Sequence, residues 1–135
     1  MKICVLQPDY STSEVDYKDY DPPRNLSRWL PEDEVTHVFL NKLTTYQQLK
    51  TLQYEGYDIF INLCEGYLEW SVPSIDVIHC LDLLNLPYTG PTALLYDPPK
   101  TLMKYVAFCE GIKTPDYILL QHTDDPVKKI HQLSF

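Results

Sequence analysis

The chain has 135 residues, with 19 acidic side chains against 11 lysines and arginines and a net charge of −8, a length that fits one domain with a real core. That charge argues against nucleic acid as a partner, because such binders carry a basic stripe and the only adjacent basic pair is Lys128-Lys129. No apolar run approaches the roughly 20 residues of a membrane-spanning helix, so neither membrane nor nucleic acid is an expected partner, and an acidic cytoplasmic protein is the plain reading.

In chain order, residues 2–7 (KICVLQ) read as a buried opening strand, too short and too quickly polar for a signal peptide. A long loop follows over 8–24, rich in Asp, Tyr and Pro. A helical turn is expected at 25–30, stopped by Pro31. Residues 35–40 (VTHVFL) have the β-branched and aromatic content of a strand. The spacing of Tyr46, Leu49 and Leu52 predicts a helix over 45–54, with Thr45 and Gln48 as a capping box and Gly56 at its end. The apolar run 58–63 (DIFINL) predicts a strand covered on both faces. After a loop at 64–71, Pro73 suits the first position of a helix over 73–85, and 87–90 reads as a short strand. A helix over 100–110 ended by Gly111, a strand at 117–120 and a last helix at 125–133 complete the reading. The alternation implies an α/β fold, a Rossmann-like, mostly parallel sheet with right-handed crossovers. Ligands of such sheets sit beyond the carboxyl ends of the strands, here the loops after Gln7, Leu40, Leu63 and Gly90.

Only four glycines occur, Gly56, Gly66, Gly90 and Gly111. No glycine-rich phosphate cradle can be built near the first strand, and no P-loop or G-x-S-x-G is present. Cys4, Cys64, Cys80 and Cys109 form no C-x-x-C pair, so they read as small buried thiols in a reducing compartment. Cys64 as a nucleophile lacks a base visible in sequence. His37, His79, His122 and His131 are scattered, and no metal site is expected from them. In the segment 62–70, Glu65 or Glu69 could meet a substrate ammonium or a metal; the plainer alternative is a solvated loop in which Gly66 supplies a positive φ. Lys100 falls in the first turn of its helix, where a cation opposes the dipole. A phosphate there would make both helix and lysine useful donors; otherwise Lys100 is a solvated surface residue.

Taken together, DIFINLCEG, a helix, and then LNLPYTGPTALLYDPPKTLMKYVAFCEGIKTPDYILL resemble the amino-terminal part of the D-alanine–D-alanine ligase-like group of ATP-grasp proteins. The likeness covers about 58–120; residues 1–57 agree in order of elements only. It implies a pre-ATP-grasp α/β domain over 1–97 and, over 98–135, the first helix and strand of an ATP-grasp domain. It implies ATP and magnesium as cofactors of the complete enzyme and a small carboxylate or amino acid as substrate. A homodimer through the N-terminal domain is compatible with it. Lys100 matches a basic position that contacts ATP phosphates, and Lys104 a second one on the same helix. Glu14 matches a first-loop glutamate that holds a substrate ammonium, although Pro8-Asp9 stand where that loop carries two glycines. Glu65 stands where true D-alanine ligases carry a histidine, and their E-D pair is absent, so a ligase joining another carboxylate to an amine fits better.

The chain ends at Phe135, where the resemblance places the junction to the nucleotide-gripping strand and the magnesium ligands. The chain is therefore expected to hold no catalytic residue, to bind ATP weakly by itself and not to complete a catalytic cycle alone. The alternative is a stand-alone, non-catalytic binding module derived from the same domain.

Overall fold

The computed structural model describes residues 1–14, 17 and 19–120. The chain divides into two compact units, Met1–Tyr96 and Asp97–Phe135. In the first, three strands form a parallel sheet in the order β2-β1-β3, with β1 at Lys2–Pro8, β2 at Glu34–Leu40 and β3 at Ile59–Asn62. β1 runs in register with β2 from Lys2↔Glu34 to Pro8↔Leu40, and with β3 from Ile3↔Ile59 to Leu6↔Asn62. Central β1 is buried from Ile3 to Pro8, every residue but its first, which is why its sequence runs apolar without alternation.

The sheet has a fourth, minimal member. Tyr88 bridges Phe60 in parallel, with Phe60 N donating to Pro87 O at 2.9 Å and Thr89 N to Phe60 O at 2.9 Å. The Thr89 hydroxyl extends this contact by accepting from Asn62 N at 3.2 Å. On the opposite edge, the Gln48 side chain donates to Phe39 O at 3.0 Å and accepts from Asn41 N at 2.8 Å. One amide therefore occupies backbone groups of the outer strand that another strand could otherwise pair.

Two helices, α1 at Thr45–Leu52 and α2 at Ile75–Leu83, supply one side of the core. Leu49, Leu52, Val77 and Leu81 meet Cys4, Leu6, Leu40 and Phe60 in one cluster. The strand members all have even numbers, as the two-residue period of a strand requires for one face. The odd face is met by the β1–β2 connection. Arg24 is held there by the buried Gln7 side chain, which accepts from Arg24 N at 2.6 Å and donates to Arg24 O at 3.1 Å. Leu26 N donates to Nε2 of His37 at 3.0 Å. The expected turn in this connection is a 3-10 helix at Ser27–Trp29.

Gly56 takes φ +72° after a 3-10 extension of α1 at Gln53–Glu55, the left-handed stop expected of it. The capping box does not form. Thr44, not Thr45, is the N-cap and makes no side-chain cap bond; Gln48 faces the strand edge, and the Thr45 hydroxyl donates to Asn41 O at 3.0 Å. A strand edge with open backbone groups out-competes a helix end already exposed to water.

In the second unit, α3 spans Lys100–Cys109 and Gly111 follows at φ +67°. The expected strand at 117–120 is not a strand: a ladder needs a partner, and among the described residues of this unit there is none. The helix expected at 125–133 lies outside the described residues. No helix among the described residues is long and apolar enough to cross a membrane.

Candidate functional site at the carboxyl edge of the sheet

Where β1, β2 and β3 end, their loops are stitched to one another by polar side chains. Asp9, just past β1, accepts from Ser11 N at 2.9 Å, from the Ser11 hydroxyl at 2.8 Å and from Asn41 Nδ2, just past β2, at 3.3 Å. The backbone and hydroxyl donors of Ser11, assisted by Asn41, hold the Asp9 carboxyl below the usual carboxylate range. Asp9 is thus a fixed anion that caps the 3-10 turn Tyr10–Thr12.

Next along the edge, Lys42 Nζ lies 2.6 Å from Asp76 Oδ1, with both side chains only 16% exposed. Asp76 Oδ1 also accepts from Ser74 N at 2.9 Å. The Ser74 hydroxyl, fully buried, lies 2.9 Å from Asp76 Oδ1 and 2.7 Å from Tyr67 O, and it accepts from Lys42 Nζ at 3.2 Å. This cluster ties the end of β2, the start of α2 and the loop after β3 into one piece.

That loop is shaped by Asn62, whose Oδ1 accepts from Cys64 N at 3.0 Å, and by Gly66 at φ +126°. A Cβ on Gly66 would sit 2.5 Å from Cε3 of Trp70, so both conformation and space demand glycine. Gly66 N donates to the Tyr96 hydroxyl at 2.6 Å, and Tyr67 meets Trp70 edge-to-face at 5.5 Å. Tyr10 stacks on Tyr17 at 4.5 Å and donates to Asp21, which pairs with Arg24 at 2.9 Å.

Cys64 is not a poised nucleophile. It is 2% exposed, and burial, reinforced by the negative charges of Asp76 and Asp21, pushes its thiol above the ordinary range. A reactive cysteine needs the reverse.

The residues singled out from sequence fall in both units. Glu14, Glu65 and Glu69 are exposed in loops of the first unit, and Glu65 and Glu69 share the loop after β3. Lys100 and Lys104 belong to α3 in the second. Lys100 is exposed, with Nζ 3.9 Å from Met103 Sδ. Lys104 is half-buried: Nζ donates to Thr114 Oγ1 at 3.2 Å and Pro115 O at 2.6 Å, and lies 4.7 Å from the Tyr117 ring. Its ammonium holds the segment after α3.

Sequence reasoning missed Lys42, Ser74, Asp76, Asp9 and Asn41. The signal available was positional: each sits within two residues of a strand end or a helix start. Chemically, the rim offers exposed carboxylates, while the half-buried Lys42 is neutralised by Asp76. Such an edge suits an ammonium group better than an anion. No protein-family model, no curated protein and no solved structure matches this chain.

Proposed function

We propose that the chain is the front, substrate-side part of an ATP-dependent carboxylate–amine ligase of the D-alanine–D-alanine ligase-like ATP-grasp group, inactive alone. The observation that carries this reading is the order around β3. β3 ends in I-N and runs on into Leu63, a loop with two exposed glutamates follows, and L-P-Y-T-G returns as a parallel partner of Phe60. The chain then enters a helix opened by Lys100. This is the succession the family pattern requires, supported by a parallel α/β sheet whose loops gather at one edge.

In such a ligase the carboxylate takes the terminal phosphoryl group of ATP, the amine displaces phosphate from the resulting acyl-phosphate, and ADP and phosphate leave. Magnesium and fixed cations stabilise that transfer. In this chain, Glu14, Glu65 and Glu69 would hold the substrate ammonium. Lys100, exposed at a helix start with no acid in the first turn, would meet phosphate oxygens. Lys104 would join it only by leaving Thr114 and Pro115. Homodimerisation through the first unit belongs to the same reading.

Residue-resolved NMR titrations test it. Millimolar magnesium–ATP should shift the amides of residues 100–104 weakly, and Lys100→Ala should abolish the shift. Zwitterionic amino acids should shift Glu65, Glu69 and Glu14. Silence at both places, or ATP turnover coupled to amide formation by these 135 residues alone, would overturn the proposal.

A further inference from the structure

The sequence contains only two arginines, Arg24 and Arg28, and both line one cavity of about 450 Å³ in the β1–β2 connection, together with Pro22, Pro23, Leu26 and Trp29. We infer that this cavity is a binding site for a small aromatic anion, a planar ring bearing a carboxylate or phosphate. The inference is independent of the ligase reading.

Its walls are held in place. Pro22 and Pro23 restrict the backbone. The reciprocal bonds between Gln7 and Arg24, at 2.6 and 3.1 Å, fasten one end to β1. The bond from Leu26 N to His37 fastens the middle to β2. Asn25 Oδ1 accepts from Ser27 N at 3.0 Å and sets the turn into the 3-10 helix. A connection whose backbone is pinned to both neighbouring strands carries a smaller ordering cost at binding.

The lining has a consistent chemistry. Trp29 is 69% exposed, a large aromatic surface left in water for which the first unit's core has no use. Arg28 lies 4.9 Å from its ring, the geometry of a cation–π contact. Among the described residues no carboxylate pairs with Arg28, whereas Arg24 is paired with Asp21 at 2.9 Å. One arginine is therefore anchored and half-neutralised, and the other is available. In a chain of net charge −8, this is where an anion meets guanidinium groups beside an aromatic face. The volume lies within the roughly 300–1,000 Å³ of small-molecule pockets. Planar guanidinium groups match carboxylate and phosphate oxygens.

The test is an NMR titration of the intact chain with benzoate, phenyl phosphate, benzyl alcohol and inorganic phosphate as separate probes. Benzoate or phenyl phosphate should shift the Trp29 indole N–H and the Leu26 amide saturably, and whichever binds tighter identifies the acid. The Trp70 indole should not move. Benzyl alcohol and inorganic phosphate should bind about tenfold or more weakly, since each supplies half of the chemistry. Arg28→Gln and Trp29→Leu, both surface changes that should leave the melting temperature unaltered, should each weaken the aromatic anion about tenfold. No saturable shift at Trp29, equal binding of benzyl alcohol, or an Arg28→Gln variant that binds unchanged would each overturn the assignment.

Discussion

Residues 1–96 and 97–120 have similar apolar content but use it differently. In the first region, Cys4, Val5, Leu6, Leu40, Leu49, Phe60, Val77 and Leu81 are essentially inaccessible. In the second, no residue of α3 is buried, and Leu102, Met103, Tyr105, Val106, Phe108, Ile112 and Tyr117 are all exposed. A helix alone cannot make a core; it must set its apolar stripe against a second layer. α1 and α2 share a sheet, whereas the described part of the second region offers α3 only the segment held by Lys104. Apolar pattern thus predicts where a helix forms, not whether it is buried.

Substitutions sharpen this contrast. Phe60→Ala, in the middle of the sheet, should cost about 3–5 kcal/mol, read from urea unfolding, while Phe108→Ala, at 79% exposure, should stay within about 0.5 kcal/mol. Equal costs would erase the distinction between the regions. Removing Asp76 as Asp76→Ala should cost about 2–3 kcal/mol, because it strands a half-buried Lys42 and leaves Ser74 N without its acceptor. A Lys42→Met/Asp76→Leu double variant should recover part of that loss. Gly66→Ala should cost about 1–3 kcal/mol from backbone strain and the Trp70 clash, whereas Gly111→Ala should be milder because open space surrounds it.

Thiol chemistry draws the same line. Cys109 is exposed, whereas Cys4 and Cys64 are buried, and burial pushes the Cys4 thiol up to about 12. Titration with a chromogenic disulfide should modify Cys109 at once and Cys4 and Cys64 only on unfolding. Prompt reaction of Cys64 would contradict the packed first region. The smallest effect concerns acid. The carboxyl of Asp9 is lowered in the folded state, so its contribution is present above the ordinary carboxylate range, near 4, and is lost as pH falls through the lower folded value. Asp9→Asn should flatten the acid limb of the stability profile slightly, with no change at neutral pH beyond a constant offset.

Much of the local structure was legible from residue order. The runs KICVLQ, VTHVFL and DIFINL are strands within a residue or two, and the glycines at 56 and 111 end their helices, because these signals act over a few neighbouring residues. The capping box was misread because Gln48 had a competitor invisible in linear order, the free edge of β2. Strand 117–120 was misread because β-branched and aromatic content measures fitness for a sheet, and a sheet needs a second strand. The pairing of Lys42 with Asp76, 34 positions apart, left no local trace at all.

By itself the sequence determined the parallel α/β class, the order of the main strands and helices as far as α3, and the edge at which the loops gather, since period, caps and breakers are encoded within one or two turns of chain. Only the tertiary structure decided which polar residues clasp that edge, that Cys64 is inert, and that two arginines four residues apart open onto one cavity. Those outcomes depend on which distant segments the sheet brings within hydrogen-bonding reach.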